Sequence, residues 1–198
     1  MKKILIITLI LAAGVFISPI VSAQSFTSLQ YTMGIPTGGL KDHVDKISWR
    51  GFTFEYQREV AESVTVGCNF AWSTFYERKD YDSYTNNNAT LSGVQYRYDN
   101  LFPMLINAHY TIGTGTVIPY VGLGVGTMYD LRNTDMGTWT IEEDNWHFLM
   151  TPEAGFMFDV SPGTSLKLNA KYDYAFKIQD ADAFGNLNIS FGVVFNSW

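Results

Sequence analysis

The sequence predicts an all-β fold, an eight-stranded antiparallel up-and-down transmembrane β-barrel over residues 24–198 with an N-terminal signal peptide over 1–23. Three observations carry this. Segments of alternating apolar and polar residues recur eight times, which is the period of a strand whose two faces meet different surroundings. Short and long connections alternate between them. In front lies an export leader: Lys2 and Lys3, an apolar run over 4–17, and the small-x-small site Val21-Ser22-Ala23. The run is short for a membrane-spanning helix, and no cysteine follows the cleavage site to carry a lipid.

Each strand can be read in turn. The first, over 26–36, sets Leu29, Tyr31, Met33 and Ile35 against Ser28, Gln30, Thr32 and Gly34. The second, over 49–58, sets Phe52, Phe54 and Tyr56 against Gly51, Thr53, Glu55 and Gln57. The third, over 63–76, sets Val64, Val66, Cys68, Phe70 and Trp72 against Thr65, Gly67, Asn69, Ala71 and Ser73. The fourth, over 92–111, carries Val94, Tyr96, Tyr98, Phe102, Met104, Ile106, Ala108 and Tyr110 on its apolar face.

The fifth, over 117–131, sets Val121, Leu123, Val125 and Tyr129 against Tyr120, Gly122, Gly124, Gly126 and Met128. The sixth, over 146–159, sets Phe148, Met150, Ala154, Phe156 and Phe158 against His147, Thr151, Glu153 and Gly155. The seventh, over 165–174, sets Leu166, Leu168, Ala170, Tyr172 and Tyr174 against Lys167, Asn169, Lys171 and Asp173. In the eighth, Leu187, Ile189, Phe191, Val193 and Phe195 alternate with Asn188, Ser190, Gly192 and Val194. Tight turns are expected at 59–62, 112–116 and 160–164, and long polar loops at 37–48, 77–91, 132–145 and 176–186. Transmembrane barrels show this asymmetry, with short periplasmic turns and longer extracellular loops.

The faces can be assigned by crowding and by charge. Glycines of the strand cores, among them Gly34, Gly67, Gly126, Gly155 and Gly192, fall on the polar face. An eight-stranded interior is just wide enough for side chains, so the small residues and the polar face belong inside. Reversing strand seven would put Lys167 and Lys171 against lipid, at about 2–4 kcal/mol each near the midplane. In water, the apolar face would expose far more than the few hundred Å² a soluble monomer usually shows.

Inside, Lys167 and Lys171 can pair with Glu55, Glu153 or Asp173, and Arg97 and Asp99 are expected to join them as a lumen polar network. Outside, Trp49, Arg50, Trp72, Tyr96, Tyr129, Trp146 and Tyr174 lie toward the long-loop ends, as an interfacial girdle requires. Arg50 is placed to snorkel toward lipid phosphates. Outer-membrane lipids and lipopolysaccharide are therefore the expected surroundings.

Composition narrows the function. At 198 residues, 46% hydrophobic and 16% aromatic, the chain has material for one domain. A net charge of −6 excludes nucleic acid, whose phosphates need clustered cations. A single cysteine, Cys68, allows no internal disulfide and no CxxC metal site.

The "IPYVGLGVGTMYD" strand and the C-terminal alternation, with the strand count and loop asymmetry, resemble the small eight-stranded outer-membrane barrels of Gram-negative bacteria. These are the OmpX-like proteins, the barrel domain of OmpA and the OmpW-like proteins. The resemblance implies that Leu187, Ile189, Phe191, Val193 and Phe195 form the terminal signal read by the barrel-assembly machinery. OmpW-like barrels are associated with a hydrophobic channel, which the charged lumen here does not suit. OmpX-like barrels have strands that project beyond the surface, as strands three and four are expected to do here.

Catalytic and metal candidates are sparse. His43, His109 and His147 sit on a loop and two strands, the last two near opposite ends, and read as structural. Outer-membrane acyltransferases and deacylases place a Ser-His pair near the outer leaflet, but His147 has no companion serine at convincing spacing. Glu142, Glu143 and Asp144 with Asp180 and Asp182 offer carboxylates for Ca²⁺ or Mg²⁺, though solvated acidic loops are the commoner reading. Asn88-Ala89-Thr90 fits a glycosylation sequon that has no role in a bacterial setting. The expectation is a non-enzymatic barrel without cofactor, acting through its surface loops on an unidentified ligand. The competing readings are a narrow channel or carrier for small solutes and, more remotely, a lipid-modifying enzyme.

Overall fold

The computed structural model describes residues 24–86, 89–179 and 181–197, with side chains outside 82–91. The expected signal peptide and sequon, Asp180 and Trp198 lie outside the described residues or side chains. Eight strands form one closed ring in chain order: β1 (Ser25–Gly38), β2 (Gly51–Ala61), β3 (Val64–Asn86), β4 (Ala89–Thr111), β5 (Val117–Met136), β6 (Trp139–Ser161), β7 (Thr164–Ala175) and β8 (Phe184–Ser197). A short helix, α1 (Gly39–His43), follows β1. Every neighbour pair is antiparallel, and β1 closes onto β8 from Ser25↔Ser197 to Gly38↔Phe184.

The period-two pattern places the faces as expected. Ser28, Gln30, Thr53, Glu55, Asn69, Lys167 and Ser190 are buried in the lumen, while Leu29, Ile106, Phe148 and Phe191 are each more than half exposed on the outside. No helix among the described residues is long and apolar enough to cross a membrane. The crossing is made by strands, whose backbone groups are all satisfied by closure.

Glycine on the inner face has a steric cause. A Cβ on Gly126 would run into the Met104 carbonyl of β4, and one on Gly192 into the Leu29 carbonyl of β1. The strands could not keep their spacing there with any larger residue.

Two expected loops are strands. The segments 77–91 and 132–145 continue the ladders to Asn86↔Ala89 and Met136↔Trp139. Among the described side chains, Asp80, Tyr81 and those of 138–144 are exposed on both faces, so the apolar contrast that marks a strand is missing there and backbone pairing defines the ladder. β3, β4, β5 and β6 run 23, 23, 20 and 23 residues, where a tilted crossing needs about 9–11. β2 leaves β3 at Gly51↔Ser73, and β7 meets β6 only from Leu149↔Ala175. A four-stranded sheet therefore stands clear of the ring on the outer side. Trp49 and Arg50 precede β2 instead of opening it.

On the other side the turns are short: Glu62-Ser63 between β2 and β3, 112–116 between β4 and β5, and Pro162-Gly163 between β6 and β7. Ser63 at φ 66° and Gly163 at φ 83° adopt the left-handed conformation these two-residue turns require.

Candidate functional site

The lumen is filled in layers. Midway along it, Glu55 of β2 reaches across the barrel to Lys167 and Lys171 of β7, and Glu153 of β6 stands directly beside Lys171 on the neighbouring strand. Lys167 Nζ lies 2.5 Å from Glu55 and 3.6 Å from Glu153. Lys171 Nζ lies 3.4 and 3.2 Å from the same two carboxylates.

The remaining lone pairs are also served. Asn69 and Asn107 donate to Glu55 at 3.0 and 3.1 Å. Tyr120 and Asn169 donate to Glu153 at 2.5 and 2.8 Å. Lys167 also lies 4.7 Å over the Tyr120 ring. All four charged side chains are almost entirely buried, a state that requires such pairing.

His109 completes the layer, with Nε2 3.4 Å from Glu153 and 3.2 Å from Gln57. Glu55, His109 and Glu153 offer ligand atoms within 4.8 Å of one another. The two lysine ammoniums already neutralise both carboxylates from within the cluster, so a divalent cation would meet like charge there.

Asp173 does not join this network. It sits one inward position beyond Lys171 and accepts from Thr151 and Asn188, both at 2.7 Å. Arg97 and Asp99 are also placed elsewhere, in the outer mouth. Asp99 and Asp130 share Arg132, whose Nε lies 3.3 and 3.0 Å from them. Arg97 donates to the His43 carbonyl at 3.0 Å and to Gln95 at 3.0 Å. Distance along β4 separates these groups from Glu55.

Between the ionic layer and the mouth the polar lining around Asp173 and Asn188 is joined by an apolar cluster that the sequence reading did not anticipate. Phe75, Leu101, Leu105, Met128, Leu149 and Phe184 form one buried cluster, closed from above by Leu40 and Val44 of the α1 segment. The cluster is closed to water, with α1 packed over it against β1 and β8. The α1 segment is pinned there by Arg97 and by Glu77, which accepts from the Asp45 amide at 2.7 Å. Burial, helped by Arg132, Arg97 and Lys79, holds the His43 imidazole down to about 4, against a partial counter-effect of Glu77.

His147 is buried under this cover, its Nδ1 2.9 Å from the Phe176 carbonyl and its ring edge-on to Phe184. It faces the lumen and not the outer leaflet, where a lipid-modifying pair would need it.

On the outside, Tyr129 and Trp146 meet as tilted rings at 5.0 Å, and Phe52 and Trp72 at 5.9 Å. Tyr174 stands edge-on to Phe176 at 4.8 Å. Trp49 is 64% exposed, and its carbonyl accepts from the Tyr31 hydroxyl. Arg50 is exposed beside it. Tyr96 differs from the other girdle candidates. It lies six residues beyond Phe102, the partner of Tyr129, or roughly 20 Å along β4, on the projecting sheet. Of the acidic loop candidates, Glu142, Glu143 and Asp144 are exposed on β6, and Asp182 pairs with Lys177 at 2.6 Å. On β8, Leu187, Ile189, Phe191, Val193 and Phe195 occupy the outward positions, and Val194 is buried inside.

Sequence reasoning missed His109 and Tyr120 in the ionic layer, the apolar cluster above it and the Asp130–Arg132 pair. All but Arg132 and Phe184, which fall in expected loops, carried a signal, inward parity on their strands. That Leu101, Leu105 and Leu149 share it marks an apolar stretch of lumen.

No protein-family model and no curated protein matches this chain. Solved structures share its architecture. A major outer membrane protein from Thermus thermophilus superposes with a TM-score of 0.58 at 10% identity, over 89% of this chain and 100% of that one. Neisserial surface protein A gives 0.55 at 13% identity, over 87% and 96%. Ail, the attachment invasion locus protein of Yersinia pestis, gives 0.53 at 13% identity, over 88% and 97%. The shared fold is that of the small bacterial outer-membrane β-barrels.

Proposed function

We propose that this outer-membrane β-barrel is a closed, non-catalytic surface-interaction protein, adhesion-like in role, that presents its β3–β6 sheet to a partner outside the cell. The observation that carries the reading is the projecting sheet. About twelve residues of each of β3 and β4 continue past the ring, some 40 Å of strand, and no neighbouring strand among the described residues covers the edges of the sheet they belong to. The attachment role named for Ail supports the same direction for a barrel of this shape. Partners in the envelope are outer-membrane lipids and lipopolysaccharide along the apolar belt, and the barrel-assembly machinery at β8.

Replacing 78–95 and 134–141 by two-residue turns tests this. Cells displaying the shortened barrel are expected to lose adherence to cultured host cells, while the protein keeps heat-modifiable migration on gels. Retained adherence would overturn the reading. The channel alternative meets a lumen blocked by the ionic layer and the apolar cluster, so planar bilayers should show no steady conductance. A steady conductance would put the channel in its place.

A further inference from the structure

Below the ionic layer the lumen is not filled. A cavity of about 320 Å³ opens between the short turns on the periplasmic side, at the lower end of the size range of small-molecule pockets. Its floor is made by Glu55, Gln57, His109, Tyr120 and Lys167. Its walls carry the apolar side chains of Phe26, Ile118, Met157 and Val194. Its mouth is ringed by Glu59 and Glu62 at the β2–β3 turn and by Asp159 at the end of β6.

Charge around this vestibule is one-sided. Four carboxylates line it (Glu55, Glu59, Glu62 and Asp159) against a single ammonium, Lys167. Lys167 is spent on Glu55, 2.5 Å away, which leaves the three mouth carboxylates as the net field. A cleft of one sign between low-dielectric walls focuses that field and concentrates ions of the other sign. An ammonium at Gln24, created by removal of residues 1–23, would offset one of the three.

We infer that the periplasmic vestibule is a binding site for small alkylammonium ions, taken up tail first. The tail lies against Phe26, Ile118 and Met157, where burying each methylene gains about 0.8 kcal/mol. The positive head stays at the mouth between Glu59, Glu62 and Asp159. The reverse orientation is excluded by Lys167, whose ammonium sits 4.7 Å over the Tyr120 ring at the floor and would repel a second cation. An anion of the same size meets repulsion at the mouth, and a neutral molecule gains only the tail contacts. This site faces the periplasm and is independent of the outer sheet, so the two readings stand or fall separately.

The test uses the full barrel in lipid nanodiscs with methyl-labelled Ile and Met, and follows Ile118 and Met157 by NMR. Butyltrimethylammonium, 1-butanol and butanesulfonate are the probes, short enough to partition little into lipid. The expected result is a saturable shift with the cation, at least tenfold weaker binding of the alcohol, and none of the sulfonate. The double variant Glu59→Gln/Glu62→Gln should weaken the cation at least tenfold and leave the alcohol unchanged, with heat-modifiable migration reporting that it folds. Equal binding of alcohol and cation, binding of the sulfonate, or no saturable shift at all would overturn the inference. If the double variant does not fold, the three probes on the native barrel decide by themselves.

Discussion

Acidification should loosen the α1 cover. The His43 ring is half-buried in the outer mouth, and burial together with Arg132, Arg97 and Lys79 lowers its pKa from 6.5 to about 4. A lowered histidine pKa means that the docked segment binds fewer protons than the released one. Docking is therefore at full strength above pH 6.5 and weakens as pH falls from there toward 4. The full shift corresponds to roughly 3 kcal/mol. Partial exposure of the ring screens it, leaving on the order of 1–2 kcal/mol.

Burial of Leu40 and Val44, both fully inaccessible, contributes about 1.5–3 kcal/mol each, so the cover stays mostly docked. Its open population should nevertheless rise about 5–30-fold. Hydrogen exchange of the Val44 amide, which donates to the Leu40 carbonyl at 2.9 Å, reads this directly. Compared at pH 7.5 and 4.5 and corrected for intrinsic rates, its protection should fall by that factor in the native protein and stay level in His43→Gln. An equal fall in His43→Gln would assign the effect to Glu77 or another carboxylate and refute the reasoning. No change in the native protein would refute it as well.

Further expectations concern the ring itself. Glu55→Gln leaves Lys167 and Lys171 short of a partner, and denaturant unfolding should show a loss of about 3–5 kcal/mol, partly restored by adding Lys167→Met. Phe75→Ala empties the centre of the apolar cluster and should cost about 3–5 kcal/mol in the same assay. Gly126→Ala drives a methyl into the Met104 carbonyl, so the fraction of protein with heat-modifiable migration should fall sharply, while Gly93→Ala, with only the Met136 side chain nearby at 3.5 Å, should fold normally. Phe195→Ala should impair assembly into the outer membrane more than deletion of Trp198, and the reverse ranking would move the assembly signal off the outward register of β8.

How much could be read in advance depends on what each residue faces. Leu29, Tyr31 and Met33 alternate with Gln30 and Thr32 because lipid and lumen demand opposite residues, so the strands through the membrane were legible. Glu142, Glu143 and Asp144 are all exposed, on both faces of β6, and nothing in their order separates a strand from a loop. The pairing of Glu55 with Lys167 joins residues 112 positions apart. Its partners followed from parity and charge, but not its exclusion of Asp173, which depends on stagger around the ring. The cover over the mouth was beyond reach, since Leu40 and Val44 are two isolated apolar residues in a polar segment. Only the hollow they fill explains them.

The fourteen-residue pairing of β1 with β8 has a topological consequence. Ser25 and Ser197 lie side by side, their hydroxyl oxygens 2.8 Å apart, and hydrogen bonding runs around the ring without a seam. The chain could be joined there by a short linker and cut between Gly137 and Thr138, at the outer β5–β6 turn. The permuted barrel would keep every ladder and the same lumen. Both of its ends would now point away from the cell.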